Sequence, residues 1–328
     1  MKRFSAVLAM LLTLGIAGTA SAAHVIKIAH WGAPTHPVTQ SVDYFKEGLE
    51  KESGGAFTVQ HFPNNQLGSE DTFINQVQRG TIQMAISGTL IKKDEPNVGL
   101  IDMPFVISSW EQARAAYLDD PKGREILSGN YTKKTGVRIE GFVINGFREV
   151  SSREPITSME ELGRLKLRVP GNEIYVKLFQ ALGANAVMMP MTEIYNALET
   201  KVVDGQENPY ATIKGTGFWE VQGGILETRH IFSTSPVLVN GKFFNKLSAD
   251  EQALLTKWIA NLVAHNWELS EKDDNDCKTF MEGKGVKVVV PDEAFRTQIA
   301  DRLGDFYTWF ETQIPAAKEW KAYCESKR

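Results

Sequence analysis

The sequence predicts an α/β fold in two lobes, and three observations carry that expectation. Apolar strand-like runs alternate with amphipathic helical stretches, which is the pattern of a parallel sheet flanked by helices. At 328 residues the chain exceeds the ~250–300 residues over which a single hydrophobic core grows. No Pro/Gly/Ser-rich linker, low-complexity run or internal repeat divides it, so two lobes would be joined by several crossings and not by one tether.

The elements follow in order. Val25 to His30 reads as a first strand, and Trp31 to Pro37 as the loop after it. Val38, Val42, Phe45 and Leu49 recur at helical spacing up to Gly54-Gly55. Phe57 to Gln60 is a second strand. Ser69 is a good N-cap for a helix carrying Phe73 and Val77, stopped by Gly80. Gln83 to Ile86 is a third strand, and Gly136 to Asn145 a longer one. Leu165, Leu167 and Val169 alternate with Lys166 and Arg168, which sends both basic residues off the apolar face. Helices are predicted from about Asn172 to Leu182 and from Thr192 to about Thr200, with a strand at Val237 to Val239. Ser248-Ala249-Asp250-Glu251 is a capping box, and the helix it opens meets few breakers before Gly283. At 1.5 Å per residue it would be roughly 50 Å long, more than one lobe needs, so it could lie across both. Val286 to Val290 is a last strand, and Phe295 to Trp320 is helical with a break at Pro315.

The N-terminus predicts export. Lys2 and Arg3 precede an apolar run, Ala6 to Ala17, too short to span a bilayer, and Ala20-Ser21-Ala22 is a small-x-small cleavage site. Residues 1–23 are thus expected to be a signal peptide and the mature protein periplasmic. Its loss takes the formal net charge from −4 to −6. Such mild acidity, with Lys92-Lys93 and Lys133-Lys134 scattered, leaves no basic footprint for nucleic acid. Cys277 and Cys324 lie near the C-terminus in helical segments, and a bridge and two free thiols stand at even odds.

Enzyme signatures are missing: the chain has no GxSxG, HExxH, SxxK, GxxxxGK[ST] or GxGxxG. No catalytic residue and no cofactor are expected. His30 and His36 flank one loop, but no third ligand has metal-site spacing, and no metal is expected. Asp273-Asp274-Asn275-Asp276 lacks the glycine and terminal glutamate of a Ca²⁺ loop and reads as a solvated helix face.

Three regions suit an anion. Asn145-Gly146-Phe147-Arg148 places Arg148 after a strand end. Leu165 to Gly171 places Arg168 at the end of an alternating strand before a Pro-Gly turn. Val203 to Pro209 reads as a turn rich in amides and acids. Ligands of α/β sheets gather at strand carboxyl ends, and a guanidinium presents a planar fork that matches a carboxylate. Spacing alone leaves each arginine as easily a surface or salt-bridge residue.

These segments resemble a known family. FREVSSREPITSMEEL (147–162), LKLRVPGNEIYVKLFQALGANAVMMP (165–190) and EIYNALETKVVDGQENP (193–209) are similar to the solute-binding proteins of TRAP (tripartite ATP-independent periplasmic) transporters, the DctP-like family. AHWGAPTHP (29–37) and NNQLGSE (64–70) match earlier in the chain, in the expected order. The resemblance implies a two-lobed periplasmic binding protein fold, with a ligand cleft between the lobes and the long helix spanning both. It implies that lobe I is 24–145 plus 234–273 and lobe II is 146–233 plus 274–328. It implies Arg168 as the clamp on a ligand carboxylate, with Arg148 and Asn208 beside it. Glu70 would face the cleft, or merely favour its own helix N-terminus. Trp31 would stack on the ligand, or serve as a rim aromatic. A family branch that binds through a metal uses a glutamine and a Trp-Glu pair where this chain has Arg148 and Glu207-Asn208, so direct binding is expected. Met188, Met189, Met191 and Tyr210 would form an apolar wall or simply pack; packing is preferred for the methionines. Trp31 and the methionines incline the reading toward an acid with an apolar portion. The implied partners are a small organic acid and the small and large membrane subunits of an ion-driven permease, with the binding protein a monomer. The alternative function is a periplasmic sensor feeding a membrane receptor.

Overall fold

The structure, a computed structural model, describes residues 23–328; the expected signal peptide lies almost wholly outside them. Ten strands form two sheets that share one strand. They are β1 (His24–His30), β2 (Phe57–Phe62), β3 (Met84–Ile86), β4 (Val137–Ser152), β5 (Lys166–Val169), β6 (Asn185–Met188), β7 (Gly205–Pro209), β8 (Gly224–Leu226), β9 (Phe232–Asn240) and β10 (Lys287–Val289). The first sheet runs β2-β1-β3-β9-β4 and the second β6-β5-β7-β4-β8-β10. Within each, the strands expected from alternation with helices are parallel. The crossing strands are not: β9 is antiparallel to β3 and β4, and β4 is antiparallel to β7 and β8. An all-parallel expectation therefore fails where the chain passes between lobes.

Strand β4 is the joint. It outruns the segment expected to end at Asn145. Up to Phe147 it pairs with β9, and from Arg148 onward it pairs with β7. Its register slips between Ile144 and Gly146, where Gly146 holds φ 104°, a conformation that a side chain would strain. The slip turns one strand from the first sheet into the second. Aromatic rings fill the bend: Trp110, Phe147 and Phe232 meet edge to face, and Trp267 from the long helix lies beside them.

The long helix spans Ala249–Gly283 and begins with the predicted capping box. It packs on the helix Pro37–Glu52 of the first lobe, along β4, and on the helix Tyr210–Gly215 and β10 of the second. The contact with Pro37–Glu52 is close enough that a Cβ at Gly48 would run into the Trp258 ring, which explains a glycine inside that helix. Asn266, fully buried, accepts from Ile144 N at 2.5 Å, beside the β4 slip. His36 caps Pro37–Glu52: its Nδ1 accepts from Val38 N (3.2 Å), so its proton sits on Nε2, which donates to Asn145 Oδ1 (2.9 Å).

The C-terminal helices divide their contacts between the lobes. The helices Glu293–Asp301 and Gly304–Gln313 contact the helices Met159–Arg164 and Glu173–Ala181. After the break at Pro315, the last helix, Ala317–Glu325, returns to the first lobe. Trp320 is buried there against Tyr117, and Gln112 Nε2 donates to Cys324 O at 2.8 Å. The apolar face of that helix finds its partner on residues 110–128, which sequence order does not reveal. Cys277 and Cys324 lie buried in two different apolar clusters and are both free thiols. Among the described residues no helix is long and apolar enough to cross a membrane.

Two outcomes follow. Replacing Asn266 with Ala leaves the Ile144 amide without its partner in a dry site, and urea unfolding should register a loss of about 1–3 kcal/mol. Burial lowers the His36 pKa to about 4, against opposition from the Asn145 bond. A depressed base gives stability above its unfolded pKa that is lost as pH falls through the folded one, here from about 6.5 toward 4. In His36→Asn, which keeps a capping side chain, the acid-side slope of stability against pH should shrink by up to about 1.4 kcal/mol per pH unit. An unchanged slope would exclude His36 as a contributor.

Candidate functional site

Between the sheets lies a cavity of about 240 Å³. Trp31, Glu70, Arg148, Arg168 and Asn208 all line it, so the structure brings together the five residues expected to touch a ligand. Each arrives on a different element. Trp31 follows β1, and Glu70 opens the helix Glu70–Arg79 after the N-cap Ser69. Arg148 is on β4 just past the switch of sheets, Arg168 is near the carboxyl end of β5, and Asn208 is on β7.

The two arginines differ in state. Arg148 is locked to Glu207: Nε donates to Oε2 at 2.5 Å and Nη2 to Oε1 at 2.8 Å. Nη2 also reaches Asn208 Oδ1 at 3.2 Å. Glu207 in turn accepts from His230 Nε2 (2.9 Å), whose Nδ1 faces the Thr228 hydroxyl (2.7 Å). Burial alone would lower the Arg148 pKa, but Glu207 and Tyr175 more than reverse it. Burial would raise that of Glu207, yet Arg148 and His230 keep it below its usual value. The pair is ionised and mutually neutralised, so Arg148 is not a free clamp.

Arg168 has no such partner. Its Nε and Nη2 both donate to Met189 O, at 2.9 and 2.7 Å, which fixes the guanidinium without neutralising it. Among the described residues no carboxylate pairs with it, although it is only 4% exposed. Burial pushes its pKa down to about 10; Glu207 opposes that shift and Arg148 adds to it. It is still cationic at neutral pH. The alternation of β5 did send Arg168 off the apolar face, but into the cleft and not into solvent.

The Glu70 carboxylate accepts from Ser87 Oγ (3.0 Å) and Leu90 N (2.9 Å), and burial raises its pKa. It thus faces inward, as one of its two readings required. Trp31 Nε1 is buried with no partner, and its ring lies edge-on to His36. Met188, Met189 and Met191 all line the cavity; Met189 and Met191 also pack on the smaller core, as the preferred reading had it, while Met188 is 49% exposed. Tyr210 does not join them. It packs in the smaller core and donates to Glu227 at 2.9 Å. His30 pairs with His61 (2.7 Å) and not with His36.

Val203 to Pro209 is not a turn. Residues 205–209 form the central strand β7, fully buried, and their polar side chains are absorbed by Arg148, His230 and Ser151. Sequence reasoning also missed Thr89, Thr212, Ser233 and Ser235, which add hydroxyls to the lining. Ser233 and Ser235 alternate along β9, and that period is the one signal that might have marked them. Below the cavity the lobes touch. Asn172 Nδ2 donates to Thr89 O (3.0 Å) and Asp102 Oδ2 (2.9 Å), and Tyr175 donates to Asp102 Oδ1 (2.8 Å).

Residues 28–313 match the family model described as bacterial extracellular solute-binding protein, family 7. A TRAP periplasmic solute-binding protein of Haemophilus influenzae, solved with bound L-gulonate, is 31% identical. Its superposition covers 93% of this chain and 99% of that one, with a TM-score of 0.87. The sugar acid binding protein of Advenella mimigardefordensis, solved with galactonate, is 29% identical over 93% of this chain and 99% of that one, with a TM-score of 0.89. The C4-dicarboxylate-binding periplasmic protein of Vibrio cholerae is 29% identical over 89% of this chain and 88% of its own.

The states of the two arginines predict unequal effects on stability. Glu207→Gln strands a buried cation and should cost about 3–5 kcal/mol in urea unfolding. Arg168→Met removes a charge that was never neutralised and should change stability by less than about 1 kcal/mol.

Proposed function

We propose that this chain, which belongs to family 7 of the bacterial extracellular solute-binding proteins, captures a hydroxylated monocarboxylate of the sugar-acid class and hands it to a TRAP membrane permease. The observation that carries the reading is Arg168, a buried cation without a counter-ion on the wall of a cavity bounded by both lobes. One unneutralised guanidinium calls for one carboxylate. Arg148 already has Glu207, which disfavours a second acid group on the ligand.

The rest of the lining suits a polyol chain. Asn65, Asn145, Thr212 and Ser233 offer hydrogen-bonding groups, and Glu70 presents a carboxylate able to accept from a hydroxyl. Trp31 and the methionines give an apolar side for the C–H faces of such a ligand. The gulonate- and galactonate-bound relatives support the same class. This reading replaces the inclination toward an acid with an apolar portion. A cavity of about 240 Å³ is below the ~300–1,000 Å³ usual for ligand pockets, so the guest is small.

Capture would proceed by hinge closure. The carboxylate docks on Arg168, already aimed by Met189 O, and the first lobe closes over it with Trp31 and Glu70. Affinity then includes the free energy of shifting the open–closed equilibrium. Delivery to two membrane subunits, driven by an ion gradient, and release of the mature chain into the periplasm complete the proposal, and the TRAP relatives support them.

Calorimetry tests the clamp. With L-gulonate or galactonate as ligand, Arg168→Ala should lose about 2–5 kcal/mol, roughly 30-fold or more in Kd. Arg168→Lys should also bind poorly, because a point charge does not reproduce the fork. Unchanged affinity in Arg168→Ala would refute the assignment.

A further inference from the structure

A second cavity, of about 340 Å³, lies on the other side of the joint. Its walls come from both lobes. The turn after Pro104 supplies Phe105 and Ile107, the C-terminal segment supplies Ile299 and Leu303, and Arg229 and Arg296 complete it. Phe147 also lines it, while the next residue of β4, Arg148, lines the first cavity. Neighbouring residues of a strand point to opposite faces, so the two cavities sit back to back across the crossing strand.

We propose that this second cavity is a separate ligand site, which takes a small monocarboxylate with an aromatic or aliphatic body. Its chemistry is amphipathic. Ile107, Ile299 and Leu303 are buried and give an apolar floor. Among the described residues neither Arg229 nor Arg296 forms an ion pair. The Arg229 guanidinium carbon lies over the Phe147 ring, 3.7 Å from its centroid, and among the described residues its side chain reaches only Ser108 O, at 3.5 Å. Arg296 donates only to Pro291 O at 3.1 Å. Asp274 and Glu149 lie in the field of Arg229 and answer part of its charge, whereas Arg296 has no acid paired with it among the described residues; this cationic edge over an apolar floor suits an anion with an apolar tail.

The backbone gives a second, independent sign. Phe105 and Arg229 both hold positive φ, 56° and 46°, on the wall of this one cavity. Left-handed backbone is costly for such residues and persists only where surrounding structure enforces it. Here Phe105 N donates to His230 O (2.9 Å), and the Tyr307 hydroxyl donates to Pro104 O (3.1 Å). Strained positions concentrate at ligand clamps and hinges, and this cavity is at a hinge. Thr228, on its wall, contacts His230, which bonds Glu207, which holds Arg148 in the first cavity. A guest that touches both lobes here would bias their opening.

The site is independent of the sugar-acid reading, and the test keeps them apart. Phenylacetate is titrated by calorimetry into the full mature protein and into Arg168→Ala, with phenylacetamide as the neutral control. Saturable binding at one site per chain is expected in both proteins, with similar Kd. Arg229→Gln/Arg296→Gln should weaken phenylacetate about tenfold or more, and phenylacetamide should bind wild type about tenfold or more weakly. Arg296 is exposed, so its single replacement should fold normally and still weaken binding. The proposal is overturned by no saturable binding up to about 10 mM, by loss of binding in Arg168→Ala, or by indifference to both the arginine variants and the amide.

Discussion

Arg168 is a full charge held in a place from which water has largely been removed, with its balancing charge left for a visitor to bring. Desolvating a guanidinium is expensive, and most buried ones recover that cost from an acid of the same chain, as Arg148 does from Glu207. Arg168 recovers only part of it, from a carbonyl and from the distant field of Glu207. The site therefore stays electrostatically incomplete when empty. That incompleteness makes a carboxylate welcome and a neutral analogue unwelcome, since the latter would bury the same cation without answering it.

The architecture holds this charge at the joint of the two lobes. One strand, β4, belongs to both sheets, and one helix lies along both lobes. Arg148 is just past the point where β4 changes sheets, and its pairing with Glu207 ties β4 to β7 through side chains as well as backbone. Arg148 is better described as a strut that shapes the pocket, although its charge still helps to lower the pKa of Arg168. The second cavity borrows the same joint from the opposite face, which is why its occupancy would be felt in the cleft.

Much of this was legible in the sequence. Periodicity located β1 to β3 and the helices Pro37–Glu52 and Glu70–Arg79, but not the short helices between residues 90 and 135, and Ser248 with Glu251 marked the start of the long helix. The alternation in KLRVP revealed that Arg168 leaves the apolar face, and family likeness supplied its partners in the site. What stayed hidden depends on tertiary partners. Gly205-Gln206-Glu207-Asn208-Pro209 looks like a turn by residue type, and it becomes a buried strand only because Arg148, His230 and Ser151 satisfy its polar groups. Nothing local says that Arg148 is already neutralised while Arg168 is not. Nor does local pattern say that the chain, after Pro315, carries Trp320 back to the first lobe.

The central claim is that the vacant counter-charge at Arg168 selects for a carboxylate. The most direct measurement is a thermodynamic cycle between the sugar acid that binds most tightly and its carboxamide, each titrated into wild type and Arg168→Met. A preference for the acid of about 100-fold in wild type that collapses to about unity in the variant is the expected result. A preference of equal size in both proteins would mean that the anion is held elsewhere.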